Sequence, residues 1–324
     1  MRWGVLSGAL WGLDTVVLGV ALAAAVLAGA GDASLVGAAL HDVCCALILL
    51  TFMGVRGRLA DTWAAVRTRA GAAVVAGALL GGPIGMTGYL VSIASLGPGY
   101  TAIISTFYPA VGTVLARVLL HERMRIRQLA ALAVALGAIL VAGWQSAGGS
   151  TPDDVLVGAV GALACVLGWG SEAVILAWGM RDDAVDNQTA LHIRQTTSGL
   201  AYALVVVPAA GAGGLVTRTA LTPTMGIIAV AAAAGTASYL CYYRAIAAVG
   251  ASRAMALNIS YSAWAVVFAL VLTAVVPSPL QVVCCLVILV GTVLAATPDW
   301  ESLLDLRRCP QPGCGADGRP DDRL

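Results

Sequence analysis

Two short stretches, Trp11-Gly12-Leu13-Asp14 and Trp169-Gly170-Ser171-Glu172, each place an indole three residues before a carboxylate inside an apolar run. Residues three apart share a helix face, so each run presents an aromatic ring beside an acid. An unpaired charge at the centre of a bilayer costs at least about 2.5 kcal/mol. A ring and a carboxylate kept together at that depth suit a cation or a proton.

The elements that must hold these pairs are set by composition. The chain of 324 residues is 60% hydrophobic and 11% charged, with a mean hydropathy of +0.90, far from the roughly 25% charged content of soluble domains. It reads as an all-α integral membrane protein. All 18 basic residues are arginine, balanced by 17 acids, so no nucleic-acid partner is expected and the bilayer is. A spanning helix needs about 20 mostly apolar residues. Ten candidates lie near residues 4–28, 33–54, 71–94, 99–120, 128–147, 155–179, 189–210, 225–248, 252–275 and 279–297.

Loop charge orients these spans. Arg56, Arg58, Arg67 and Arg69 lie between spans 2 and 3, Arg123, Arg125 and Arg127 between 4 and 5, Arg181 between 6 and 7, and Arg307 and Arg308 after span 10. The alternate loops hold only Arg218. By the positive-inside rule both termini are predicted cytoplasmic, in a bacterial-type inner membrane, with span 1 retained and not cleaved as a signal peptide. Six of the eight cysteines fall inside spans, where they act as small hydrophobes. Cys309 and Cys314 sit in a Pro, Gly, Asp and Arg-rich stretch, residues 298–324, predicted to be a disordered tail. Two thiols do not make a zinc site, and no metal or cofactor is expected.

The chain repeats. The segment from Gly97 aligns with that from Gly250 at an offset of 153, which matches Tyr108 to Tyr261, Gln128 to Gln281 and Tyr89 to Tyr242. Near that offset Ala39-Leu40-His41 matches Ala190-Leu191-His192, and Trp11 with Asp14 matches Trp169 with Glu172. Residues 1–147 and 155–297 are thus predicted to be two five-helix repeats. Five is odd, so the second copy is inverted in the membrane. Secondary transporters built this way bind substrate near the midplane where the halves meet. Asp14 and Glu172, about ten and seventeen residues into their spans at about 1.5 Å per residue, lie near that depth.

Ten spans as five plus five, Trp-Gly near the start of each half, and Pro109 followed by Glu122 resemble the drug/metabolite transporter superfamily of EamA type. The chain resembles more closely the bacterial choline permeases of LicB type. The matching stretches are His41-Asp42, Gly81-Gly82-Pro83-Ile84-Gly85-Met86, Tyr108-Pro109, Trp169-Gly170-Ser171-Glu172, Ile193-Arg194-Gln195 with Thr197-Ser198, Ser238-Tyr239-Leu240 with Tyr242-Tyr243, and Leu257-Asn258 with Ser260-Tyr261 and Trp264. The resemblance covers roughly residues 4–296. It implies uptake of choline or a similar quaternary ammonium, bound by aromatic side chains and an acid. It does not extend to Asp14, where a small or apolar residue is expected.

A quaternary ammonium has no N–H to donate, so ring faces must recognise it, at about 0.5 to 2 kcal/mol each. Trp11, Trp169, Tyr108, Tyr239, Tyr242 and Trp264 are the expected rings, with Glu172 as counter-ion and Asn258 as a partner for a carboxylate or a substrate hydroxyl. Tyr243 and Tyr261 are divided between this cavity and an interfacial belt. Three roles are open to Asp14: a share in the cation site, a proton carrier, or a partner for Arg194. Arg194 itself is expected to snorkel or to form a structural ion pair. His41 and Asp42 form either a proton relay or a gate at the helix end, and Glu122 a contact at the cytoplasmic end.

Alternating-access import driven by the membrane potential, with or without protons, is the leading expectation. Export of amino acids, cationic metabolites or drugs by the same fold is the alternative, followed by a lipid-headgroup flippase or a receptor that does not transport. A flippase calls for arginine near the phosphate, and Arg194 is the one deep arginine in the sequence. No nucleophile and base can be placed together by helical spacing, so catalysis is not expected. Gly158, Gly161 and Gly168 permit close contact within one protomer or between two, leaving a monomer or a homodimer.

Overall fold

The computed structural model describes residues 1–96, 98–147, 154–181 and 185–300, and every regular element among them is a helix. α1 (Arg2–Leu22) turns back into α2 (Ala33–Val55). A short α3 (Leu59–Val66) leads to α4 (Arg69–Leu79), which passes through a π-helical turn (Leu80–Ile84) into α5 (Gly85–Leu96). α6 (Pro98–Ser105) and α7 (Tyr108–Leu119) follow on either side of a break, and α8 (Ile126–Ala147) ends the first half. The second half runs through α9 (Val155–Gly179) and α10 (Asn187–Ala201). A second π-helical turn (Tyr202–Val206) then leads to the single turn α11 (Val207–Ala209) and to α12 (Gly213–Ala220). α13 (Thr224–Val249), the broken pair α14 (Ala251–Asn258) and α15 (Tyr261–Thr273), and α16 (Pro279–Ala296) complete it.

Eight of these helical segments are long and apolar enough to cross a membrane, as expected of a multi-pass membrane protein. The other two predicted spans are also helical but for different reasons fall short of that standard. One is α6 followed by α7, of which α7 is apolar but shorter than a full span. The other, α10, carries Asn187, Gln188, Thr189, His192, Arg194 and Gln195. Most of these polar side chains are buried among neighbouring helices, where Thr189, His192 and Arg194 bond Asp186, Thr62 and Glu172, partners that lipid could not supply.

α1 packs on α13, α14 and α15, and α9 packs on α4, α5 and α7. α2 meets α10, and α8 meets α16. A glycine opens each of the two main crossings. A Cβ on Gly12 would stand 2.9 Å from the carbonyl oxygen of Tyr261, and one on Gly170 would stand 2.9 Å from that of Tyr108. The glycine of each Trp-Gly pair therefore lets a helix approach the residue that restarts the broken helix of the other half. Small residues at such crossings replace the hydrophobic drive that lipid removes.

One end of the bundle is basic and tied across the halves. The Glu122 carboxylate accepts the backbone N–H groups of Ala251 at 2.8 Å and Ser252 at 3.0 Å, capping the start of α14. Gly250, at φ 86°, leaves room for it, since a Cβ there would lie 2.7 Å from Oε1. Arg58 pairs with Asp186 at 2.7 Å, and Arg181 donates to the Leu120 carbonyl at 2.7 Å. At this end the guanidinium of Arg67 stacks on Trp63, and those of Arg2 and Arg244 on Trp3, 4.4 to 5.3 Å from the ring centres. The predicted tail begins with three ordered residues. The Pro298 carbonyl accepts from Arg125 and Arg127, Asp299 pairs with Arg127, and the Trp300 indole donates to Leu294. Residues 301–324, with Arg307, Arg308, Cys309 and Cys314, lie outside the described residues.

Asp186 is the N-cap of α10. Partial burial works against its charge, but bonds from Arg58, the Thr189 hydroxyl and the Gln188 and Thr189 amides outweigh that and hold the carboxyl below the ordinary aspartate range. A lowered folded value gives stability that is complete above the unfolded value of about 3.9. That stability is lost as pH falls through the folded value. Asp186→Ala should cost about 1 kcal/mol at neutral pH, as lost caps do, and should reduce the acid sensitivity below about pH 4. Thermal unfolding of the detergent-solubilised protein against pH measures both.

Candidate functional site

A cavity of about 330 Å³ lies where the halves meet. Leu18 and Leu22 of α1, Ser34 and Ala38 of α2, and Met86, Leu90 and Ile93 of α5 line one end of it. These positions lie toward the end of the bundle opposite the basic one. That end of the lining is therefore mostly apolar, and the charged groups lie deeper, on the floor of the cavity.

α1 and α2 supply one side of that floor. Trp11, Asp14 and Leu18 recur at helical spacing on one face of α1, and Asp14 meets His41 of α2, with His41 Nε2 at 3.1 Å from Asp14 Oδ1. The other ring nitrogen, Nδ1, stands 3.3 Å from Asp42 Oδ1. Ionised carboxylates only accept hydrogen bonds, and a histidine donates from both nitrogens only as the imidazolium. The arrangement fits a positive His41 between two negative acids. Asp42 Oδ2 also accepts from Ser198 Oγ of α10 at 2.6 Å.

α9 and α10 supply the other side. Arg194 Nε donates to Glu172 Oε1 at 2.7 Å, and Arg194 Nη1 donates to Gln195 Oε1. Its Nη1 lies 3.8 Å from Asp42 Oδ2, and its guanidinium carbon lies 4.7 Å from the centre of the Tyr239 ring. Arg194 is 3% exposed. It therefore does not snorkel but forms an internal ion pair, and its partner is Glu172, since Asp14 is engaged by His41. Glu172, expected as a free counter-ion, is already bonded to a cation of the protein.

Rings close the space around these charges. Trp11 meets Tyr239 edge to face at 4.9 Å, and Tyr108 meets Trp169 edge to face at 5.9 Å. Tyr242 and Tyr243 stand one turn further along α13 from Tyr239, and all three line the cavity, as does Asn258 at the end of α14. Trp264 is the exception. It does not line the cavity, and its ring lies 6.4 Å from Phe268. Gly12 of α1 crosses against its Cβ, where an added Cβ would be 2.8 Å away, so the position serves the helix crossing.

Tyr243 and Tyr261, left open between cavity and interfacial belt, line the cavity, and Tyr89 and Tyr202 join them beyond the rings expected from sequence. Tyr89 and Tyr261 are the repeat mates of Tyr242 and Tyr108, a signal that was available in the sequence. Gly81 and Gly82 are the other addition. Pro83 lacks an N–H and cannot continue a regular α-helical ladder, and the chain makes a π-helical turn there. The Gly81 carbonyl in that turn accepts the Trp169 indole N–H at 3.0 Å. A Cβ on Gly81 would overlap the Glu172 carboxylate, and one on Gly82 would overlap Ser198 Oγ. The Gly-Gly-Pro string makes room for the two polar side chains that the floor requires.

Among the described residues no cluster of His, Cys, Asp and Glu has the arrangement of a metal site.

No family model matches the chain. It is 31% identical over 188 residues to protein LicB of Haemophilus influenzae, a match covering 58% of this chain and 62% of that one. The matched region thus spans less than two thirds of the relative's length. A solved crystal structure 16% identical to the chain superposes with a TM-score of 0.63 over 90% of this chain and 97% of that one, which shows a shared fold. Homology to LicB together with eight apolar helices fits a multi-pass membrane permease.

Gly81→Ala is expected to destabilise the protein by about 1 to 3 kcal/mol through overpacking against Glu172. Gly137→Ala, where a Cβ meets nothing within 4 Å, should stabilise α8 by about 0.5 to 1 kcal/mol. Paired thermal unfolding curves of the two variants decide this.

Proposed function

We propose that this permease is a secondary transporter that imports choline or a related quaternary ammonium by alternating access. In this proposal it has ten spans in two inverted repeats of drug/metabolite transporter type and acts as a monomer, with both termini in the cytoplasm. The observation that carries it is the cavity floor, where aromatic rings from α1, α7, α9 and α13 surround carboxylates at mid-depth between the halves. A cation without N–H donors leaves its water only where ring faces and fixed negative charge replace it. The LicB homology supports the same substrate class, given the family resemblance described above.

The inverted repeat is supported by the packing. Exchanging α1 with α9, α2 with α10, α4 and α5 with α13, α8 with α16, and the broken helices with each other carries the most extensive helix contacts onto one another. The two breaks fall at repeat-equivalent positions, Thr106-Phe107 and Ile259-Ser260, and broken helices at matching places in the two halves mark the binding site of such transporters. The arginine-rich end, with its stacked Trp3 and Trp63, suits the cytoplasmic interface. On that orientation the cavity faces outward and the ties at Glu122, Arg58 and Arg181 close the inner side. These ties must part before a bound cation can leave inward.

The charge balance suits one monovalent cation. Asp14, Asp42 and Glu172 face the cavity with Arg194 and His41; in this proposal the acids are ionised and His41 is an imidazolium, giving three negative charges against two positive. A negative interior favours inward movement of a monocation by about 2.3 kcal/mol per 100 mV, so a uniporter suffices to concentrate it.

The test is uptake of labelled choline into proteoliposomes at imposed potentials, with ethanolamine, betaine and carnitine as competitors. Saturable uptake that rises with internal negative potential is expected. Glu172→Gln should reduce it about thirtyfold or more, the scale of a truncated buried charge pair, and Tyr239→Leu by about 2- to 30-fold for one cation–π contact. Absence of both choline uptake and choline binding in the wild type would dispose of the proposal.

A further inference from the structure

The groups on the floor that recognise a cation are occupied by the protein itself. Arg194 bonds Glu172 at 2.7 Å and covers Tyr239 at 4.7 Å, the two kinds of contact that a quaternary ammonium would make here. A second carboxylate, Asp42, stands on the other side of the same guanidinium, 3.8 Å from Nη1. Asp42 is held in place by Ser198 and His41. A charge-assisted N–H···O bond is about 2.7 to 2.9 Å long. The guanidinium is therefore bonded to one carboxylate and about 1 Å short of bonding the other.

We infer that Arg194 is a built-in competing cation and the residue that sets the substrate's charge, handed from Glu172 to Asp42 when the substrate arrives. This rests on the quaternary-ammonium function proposed above. Before binding, Glu172 is neutralised by Arg194. After the exchange Glu172 faces the substrate, Asp42 faces Arg194 and Asp14 faces His41, so three acids meet three cations. No carboxylate remains for a second positive charge, and a dication is refused. The exchange also spares the site a costly intermediate, since neither buried charge is left without a partner. The guanidinium has a short distance to travel, since its Nη1 already stands 3.8 Å from Asp42 Oδ2.

The experiment measures equilibrium binding of labelled choline and tetramethylammonium to the full-length protein in nanodiscs, with putrescine as a competing dication. Arg194→Gln removes the competitor and should lower the choline Kd about tenfold, because the binding-competent fraction rises, and should let putrescine compete where the wild type ignores it. Asp42→Asn keeps a side chain of the same shape for Ser198 but removes the second seat, and should raise the choline Kd about tenfold or more. The double variant should return toward the Arg194→Gln value, because Asp42 matters only while Arg194 needs a place to go. A purely structural Arg194 does not produce that reversal.

Weakened choline binding in Arg194→Gln, or an unchanged Kd in Asp42→Asn, overturns the exchange while leaving the transporter proposal standing. If Arg194→Gln does not yield folded protein, Asp42→Asn alone still decides. A wild type that binds neither choline nor tetramethylammonium overturns both.

Discussion

A charge placed in the dry interior of a membrane protein must be met by another charge, and here Asp14 with His41 and Glu172 with Arg194 each join two helices. Asp14, His41, Asp42, Arg194 and Glu172 satisfy that requirement as a continuous chain through α1, α2, α10 and α9. Asp14 meets His41 within the first half and Glu172 meets Arg194 within the second, and the chain crosses between the halves at Asp42, which faces Ser198 and Arg194 of α10. The position of α10 depends on it most directly, since a helix with so many polar side chains is stable at this depth only where Glu172, Asp42 and Thr62 receive its Arg194, Ser198 and His192. The aromatic walls are arranged around this chain.

Backbone geometry makes the chain possible. Gly12 and Gly170 bring α1 and α9 against the restart of the opposing broken helix, and Gly81 and Gly82 clear the space that Glu172 and Ser198 fill. Each of these contacts involves a glycine of one segment and a carbonyl or polar side chain of another. Such contacts hold two helices at a fixed separation but offer little resistance to small rotations about the contact. That suits the rocking of the halves proposed above, in which the hydrogen-bonded ties at the basic end would have to part.

The sequence suggests a repeat because duplication leaves matching residues at a constant offset, and the approaches of Gly12 to the Tyr261 carbonyl and of Gly170 to the Tyr108 carbonyl are contacts of the same kind. The spans were readable because apolar runs of about 20 residues have few other uses. Trp264 shows where this stops. Its type and depth match those of the cavity rings, but the crossing with Gly12 turns the position toward Phe268, and residue type carries no information about which side of a helix a neighbour will occupy. The Gly-Gly-Pro string was visible as a motif, but its purpose was not, because it serves side chains about 90 and 115 positions away in the chain.

The sequence by itself determined that the chain is a bundle of apolar helices, that its loops are asymmetric in charge, and that acids and rings are placed together at depth. All three follow from local composition and helical period. The tertiary structure decided which charge meets which: Asp14 with His41 and Glu172 with Arg194, although Asp14 with Arg194 was equally open on the sequence. Pairing depends on distances of a few ångströms between helices that are remote in the chain. Those distances are set by the summed packing of every small residue at the crossings, which no single segment specifies.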